Sequence, residues 1–281
     1  MKIEKATETG FCFGVRRAID MLEKVAQERG GVESLGAVVH NQQVLQRLSG
    51  IGVRVAKSID EIQGDTVATG AHGVSPQLEE AIRARHIHIV NTTCPFVRRA
   101  QMVATRLAKS GFFVIVYGDA NHPEVKGILG WANGKGLATL DEKTIATLDP
   151  LPRRLGVLAQ TTQIPANFTK FAKKLVGSAL AKDSELRIID TLCHDIRRRQ
   201  ALALELAERV NLMFVIGDHS SANTNRLAEL CSAVTKTHLI ETAGEIQPSW
   251  LQGHSHIGVT GGASTAEQTI NEVLAKLEAM I

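Results

Sequence analysis

Aromatic side chains make up only 4% of this 281-residue sequence, with eight Phe, two Trp and one Tyr. An excess of charge of one sign is also lacking: 32 Lys plus Arg against 29 Asp plus Glu leave a formal +3. That is too little for a nucleic-acid surface unless it is clustered on one face, so no nucleic-acid partner is expected. No apolar run approaches the roughly 18 to 20 residues that cross a bilayer. The longest, Phe112 to Tyr117 and Leu212 to Ile216, are strand-sized, and no membrane partner is expected. The opening Met1-Lys2-Ile3-Glu4-Lys5 has no apolar core of the secretory type, which makes the cytoplasm the expected compartment. Cysteine is sparse, at 12, 94, 193 and 231, with no close pair. A disulfide framework is thereby excluded, and each thiol must be explained singly. No Pro/Ser-rich linker or charge block marks a domain boundary.

The remainder is ordinary globular composition, 44% hydrophobic and 22% charged, which excludes disorder and fibres. Short β-branched runs alternate with helical periodicity throughout, the pattern of an α/β protein. The expected strands are 2–6, 35–39, 52–56, 66–69, 86–90, 112–117, 155–159, 187–190, 212–216, 237–241 and 256–260. The expected helices are 14–28, 76–85, 95–110, 165–181, 197–209, 222–232 and 265–280. In the first of these Val15, Ala18, Ile19, Leu22, Val25 and Ala26 recur at three- and four-residue steps.

A repeat emerges when the chain is counted from three cysteines. Cys12, Cys94 and Cys193 each stand between an expected strand and a helix, and 24 residues after them come Gly36, Gly118 and Gly217. Four residues beyond those glycines are His40, His122 and Ser221. Each third also holds a small-residue turn after a strand: Thr69-Gly70-Ala71-His72-Gly73, Ala159-Gln160-Thr161-Thr162, and Thr260-Gly261-Gly262-Ala263-Ser264. Three equivalent α/β modules about an axis explain this most simply. Equal offsets by chance, or a shared fold without a shared site, are the alternatives.

Thiolates suit zinc, copper(I) or iron–sulfur clusters, and no CxxC pair or ferredoxin-type run is present. Three symmetry-related thiolates match a cuboidal [4Fe–4S] cluster whose fourth iron has no protein ligand. Structural zinc and a pure electron carrier would each want a fourth ligand, and Cys231 reads as a small buried hydrophobe on a helix face. His40, His122 and Ser221 stand where helices begin, places that favour phosphate. Asn223-Thr224-Asn225 either caps the next helix or faces an anion. Glu124, in the first turn after His122-Pro123, is either a favourable helix-terminal charge or a proton donor. His86, His88, His238, His254 and His256 read as structural.

The motifs Gly10-Phe11-Cys12-Phe13-Gly14-Val15-Arg16-Arg17-Ala18, Val39-His40-Asn41, His72-Gly73-Val74-Ser75-Pro76, Thr93-Cys94-Pro95, His122-Pro123-Glu124-Val125, Gln160-Thr161-Thr162 and Asn225-Arg226-Leu227 occur in order along nearly the whole chain. The set resembles the hydroxymethylbutenyl diphosphate reductase, or LytB/IspH, family. The resemblance implies a trefoil of three pseudo-threefold-related α/β modules around a central iron–sulfur site. Their spans would be 13–93, 94–191 and 192–281, the N-terminal strand 1–12 joining the third. It further implies the last step of the methylerythritol phosphate route, in which two electrons and two protons remove an allylic hydroxyl as water. Cys12, Cys94 and Cys193 would hold the cluster. His40, His72, His122, Ser221, Asn223 and Ser264 would grip the diphosphate of the allylic substrate. Glu124 would deliver protons, with Thr161 orienting it, and reduced ferredoxin or flavodoxin would supply electrons.

The chain departs from the family pattern in several places. His194-Asp195-Ile196 replaces an aromatic-Ala-Thr segment, so Ile196 stands for a substrate-side threonine. Ala222 replaces a serine, Gln101 a common histidine and Ala266 a proline. Losing a hydroxyl that bonds a buried ligand costs about 1 to 3 kcal/mol. A paralogue acting on another substrate, or a metal-stabilised or redox-sensing protein without turnover, therefore stays open as an alternative.

Overall fold

A computed structural model of the protein describes residues 1–39, 41–141, 143–146, 148, 151–180 and 184–280. In chain order the elements begin β1 (Lys2–Lys5), α1 (Phe13–Arg29), β2 (Val32–Leu35), α2 (Gln42–Ser49), β3 (Val53–Ala56), β4 (Thr66–Ala68), α3 (Pro76–Ala84) and β5 (His88–Val90). There follow α4 (Pro95–Lys109), β6 (Phe113–Tyr117), α5 (Pro123–Trp131), β7 (Gly136–Thr139), α6 (Lys143–Ala146), β8 (Arg154–Ala159), α7 (Pro165–Leu180) and β9 (Glu185–Ile188). The last stretch gives α8 (His194–Ala207), β10 (Leu212–Ile216), α9 (Ala222–Ser232), β11 (Thr237–Ile240), β12 (His256–Gly261) and α10 (Glu267–Ala279).

These strands make three four-stranded parallel sheets, in the orders β1-β12-β10-β11, β3-β2-β4-β5 and β7-β6-β8-β9. All three follow one plan. The strand leading to a cysteine (β1, β5 or β9) forms one edge, beside the strand that ends in the small-residue turn (β12, β4 or β8). Next comes the strand ending at a repeat glycine (β10, β2 or β6), and then the other edge. This is the three-module α/β class expected from the repeat. The chain divides into two compact units, one of Met1–Arg16, Val39–Leu48 and His194–Ile281, the other of Arg17–Val38 and Ser49–Cys193. The first unit holds the sheet containing β1, and the second holds the other two sheets.

Each core follows from strand alternation, since successive side chains point to opposite faces. In β6, Val114 and Val116 pack with Ala100, Val103, Ala104 and Leu107 of α4. Ile115 and Tyr117 face the other way, onto Phe168, Phe171 and Leu175 of α7. In the first unit Leu212, Phe214 and Ile216 of β10 meet Ile270, Val273 and Leu277 of α10. Met213 and Val215 face Ala203, Leu206 and Cys231. Burying each such side chain stabilises the fold by about 1.5 to 3 kcal/mol, and covering both faces explains why the central strands are continuous apolar runs.

Several elements differ from the sequence expectation. The strand expected at 35–39 lies at Val32–Leu35 instead, because Gly36 turns the chain at φ 74° and sends its N–H to the Ala56 carbonyl at 2.8 Å. Helix α8 starts at His194 rather than 197, with Asp195 in its first turn favoured by the helix dipole. Strand β9 spans Glu185–Ile188 rather than 187–190. Strand β7 and helix α6 were not expected at all, whereas α2 and α5 follow His40 and His122, where helices were expected to begin.

Candidate active site

The three cysteines occupy one local geometry. Each immediately precedes a long helix, α1, α4 or α8, and each backbone N–H donates to the carbonyl of a small-residue turn. Cys94 N–H reaches Ala71 O, Cys193 N–H reaches Thr161 O and Cys12 N–H reaches Ala263 O, all at 2.9 Å. The turns close alike, with Gly73 N–H on Gly70 O, Gln163 N–H on Gln160 O and Thr265 N–H on Gly262 O. The 24-residue spacing spans the helix and strand that follow each cysteine, α1 and β2, α4 and β6, or α8 and β10. The cysteine N–H bonds set each cysteine beside an expected site residue: Cys94 beside His72, Cys193 at Thr161 itself, and Cys12 beside Ser264.

None of the four cysteines is in a disulfide. Burial pushes the Cys12 thiol up, and the Asp195 carboxylate adds to this, while the Val15 N–H, 3.5 Å from Sγ, and Arg199 pull it down. Arg199 is held at the same loop by its Nη1 bond to the Gly10 carbonyl at 2.8 Å. Cys231 sits within the apolar core of the first unit, and burial pushes its thiol up to about 12. It is the inert thiol that the sequence suggested. Among the described residues no group of three or more His, Cys, Asp or Glu is gathered around a single ion position. A cuboidal cluster does not ask for that, because each thiolate takes its own iron. A thiol at the positive end of a helix has the donor chemistry that such a cluster takes.

Glu124 and Thr161 are brought together. The acid is 4% exposed, on the first turn of α5, and accepts from the Thr161 N–H at 2.6 Å and from the Thr161 hydroxyl at 2.9 Å. His122 is the N-cap of α5, its Nδ1 accepting from the Glu124 N–H at 3.2 Å. A ring nitrogen that accepts carries no proton, so the neutral imidazole has its proton on Nε2 and presents a donor there. Ser221 is the N-cap of α9, accepting from the Thr224 N–H at 3.4 Å. Asn223 lies on the first turn of that helix, half-buried. Asn225 is tied to the His219 and Ser221 carbonyls, so the cap of α9 belongs to Ser221 and not to the Asn223-Thr224-Asn225 run.

In the first copy the count slips by one. Asn41 caps α2, accepting from the Val44 N–H at 3.0 Å, where His122 and Ser221 cap α5 and α9. His40 lies outside the described residues. Asn41 also donates from Nδ2 to the Ser264 carbonyl at 2.8 Å, a role that sequence reasoning missed although its motif was in view. Ile196 is buried in the first turn of α8, and Ala222 begins α9.

The model of the family described as LytB protein matches residues 3–278. The chain belongs to that family. It is 62% identical over 278 residues to a Dehalococcoides mccartyi protein called 4-hydroxy-3-methylbut-2-enyl diphosphate reductase, covering 99% of this chain and 98% of that one. A Geobacter metallireducens protein of the same name is 44% identical, with 99% and 97% covered. A solved structure of (E)-4-hydroxy-3-methyl-but-2-enyl diphosphate reductase, described as the terminal enzyme of the non-mevalonate pathway, is similar to this chain at 35% identity. Its TM-score is 0.71, with 99% of each chain covered. A Plasmodium falciparum reductase structure shares the fold at TM-score 0.92 and 24% identity, covering 98% of this chain and 87% of that one.

Proposed function

We propose that this chain reduces 4-hydroxy-3-methylbut-2-enyl diphosphate, using two electrons and two protons to release the allylic hydroxyl as water and yield isopentenyl and dimethylallyl diphosphates. The observation that carries the reading is the buried Glu124 clasped by Thr161, whose carbonyl in turn accepts from the Cys193 N–H. Cys12, Cys94 and Cys193 would hold a [4Fe–4S] cluster. When bound, the cluster supplies the electrons one at a time and an open iron as Lewis acid. The modules would span 13–93, 94–191 and 192–281, with the strand 1–12 joining the third.

The chain's own groups do the rest. His122 offers Nε2–H to a diphosphate oxygen, and His40, His72, Ser221, Asn223 and Ser264 complete the grip, their donors matching phosphate acceptors. Glu124 holds the proton that leaves with the hydroxyl, and the two Thr161 bonds fix the direction in which the acid points. Burial of that pair keeps bulk water from competing for the proton. Reduced ferredoxin or flavodoxin is the electron source in this reading, and the cytoplasm its compartment. No helix among the described residues is long and apolar enough to cross a membrane.

Anaerobic reconstitution with iron and sulfide, followed by turnover of the diphosphate with a low-potential artificial reductant, tests the proposal. Formation of the two isomeric diphosphates supports it, and a reconstituted protein inert toward this substrate removes it. Buried Ile196, apolar where the family pattern has a threonine, favours one second reading: the same chemistry on another allylic diphosphate, which a substrate panel separates.

A further inference from the structure

The turn that carries His72 is held from behind by a side chain that the reaction itself does not need. Gln101, 1% exposed on α4, sits two helical turns after Cys94. Its Nε2 donates to the Val74 carbonyl at 3.4 Å, and its Oε1 accepts from Arg98 Nη1 at 3.2 Å. The same Val74 carbonyl accepts the Trp131 indole N–H at 2.9 Å, and the Arg98 guanidinium lies over the Trp131 ring, 4.2 Å from its centroid. The Gln101 amide is thereby fixed in both position and sense, acceptor toward Arg98 and donor toward the turn.

Gly73 shows how close the approach is. It takes φ 69°, and a Cβ built there would stand 2.5 Å from Gln101 Nε2 and 2.8 Å from Thr93 Cγ2. The turn is gripped on the other side by Cys94, whose N–H bonds the Ala71 carbonyl. Residues 71 to 74 are thus pinned at both ends to α4, with His72 between the pins.

From this geometry we infer that Gln101 is a positioning residue, which sets the His72 imidazole for the diphosphate by anchoring the Val74 carbonyl to α4. The inference rests on the diphosphate-reductase reading for its ligand, but the anchoring stands on the hydrogen bonds alone.

Three variants of the reconstituted full chain test it. Gln101→Leu removes both bonds at similar volume. Gln101→Glu keeps the Arg98 partner but turns an acceptor toward the Val74 carbonyl. Gln101→His keeps a donor. The expected result is pyrophosphate affinity weakened by about fivefold to tenfold in Gln101→Leu and Gln101→Glu, the worth of about one hydrogen bond. KM should rise by a similar factor with kcat nearly unchanged, iron content should be normal, and Gln101→His should be near wild type. Amide hydrogen exchange in segment 70–76 should rise in the first two variants only. Wild-type exchange and pyrophosphate affinity in Gln101→Glu would overturn the assignment, as would equal damage in Gln101→His. If the wild type itself fails to bind pyrophosphate, the diphosphate reading falls, and the exchange comparison still decides whether Gln101 anchors the turn.

Discussion

Thr161 grips Glu124 twice, donating its backbone N–H to one carboxylate oxygen at 2.6 Å and its hydroxyl to the other at 2.9 Å. The pairing joins the first turn of α5 to the crossover that ends at Cys193, so the acid is aimed by two elements rather than by its own rotamer. Glu124→Gln should leave iron content and pyrophosphate binding intact while lowering turnover by about 10² to 10⁴-fold, the usual worth of a positioned acid. Full activity in that variant would remove Glu124 from the mechanism. Thr161→Val keeps the backbone donor and should cost roughly tenfold in kcat.

Cysteine replacement should divide the four thiols three to one. Cys12→Ser, Cys94→Ser and Cys193→Ser should each take up clearly less iron and sulfide on anaerobic reconstitution. Cys231→Ser should load like the wild type, because its thiol, pushed up to about 12 by burial, is no thiolate at neutral pH. It should instead lose about 1 to 3 kcal/mol of stability, as a hydroxyl enters an apolar core. Equal iron loss in Cys231→Ser would put a fourth ligand in play.

Much of this was legible because the informative strands are apolar on both faces. Leu212–Ile216 and the β6 and β8 runs announce themselves, and the cysteine spacing announces the repeat. Strand β2 did not, since all four of its residues are buried although one is Glu33. That carboxylate is tolerated because it accepts from Arg54 and from the Gln63 and Gly64 N–H groups at 2.9 Å, bonds from residues distant in sequence. The span of helix α2 hid because only Val44 and Leu48, one turn apart, are buried in it. At the site the residue types were readable, but the anchoring of turns was not. The Asn41 cap, the Gln101 amide and the Thr161 carbonyl act through backbone groups, which carry no sequence signature.

Strand β7 tests how far backbone proximity governs an edge. A Cβ on Gly136 would run into the Val114 carbonyl oxygen of β6, whereas Gly177 in α7 has nothing within 4 Å of that position. Gly136→Ala should therefore destabilise the protein by about 2 kcal/mol or more in urea unfolding. Gly177→Ala should stabilise it by about 0.5 to 1 kcal/mol through helix propensity. A neutral Gly136→Ala would show that β7 shifts freely.

The stack of His238 on Trp250 sets an acid limit on the first unit. The rings are 3.9 Å apart and 6° from parallel, Phe214 lies 5.8 Å away, and His238 Nε2 has no hydrogen-bond partner among the described residues. Burial holds the imidazole below its ordinary value of 6.5, and the nearby Lys236 and His254 act in the same direction. The folded protein thus binds this proton less readily than the unfolded chain. The neutral-ring stability is full above pH 6.5 and declines as pH falls from there toward the folded value, because the unfolded state takes up more protons in that window. His238→Phe keeps the stack and removes the proton. Its thermal midpoint should approach or exceed that of the wild type at pH 5 relative to their difference at pH 8. A gap between the two proteins that stays constant across that range would show that the folded and unfolded states bind the His238 proton equally well.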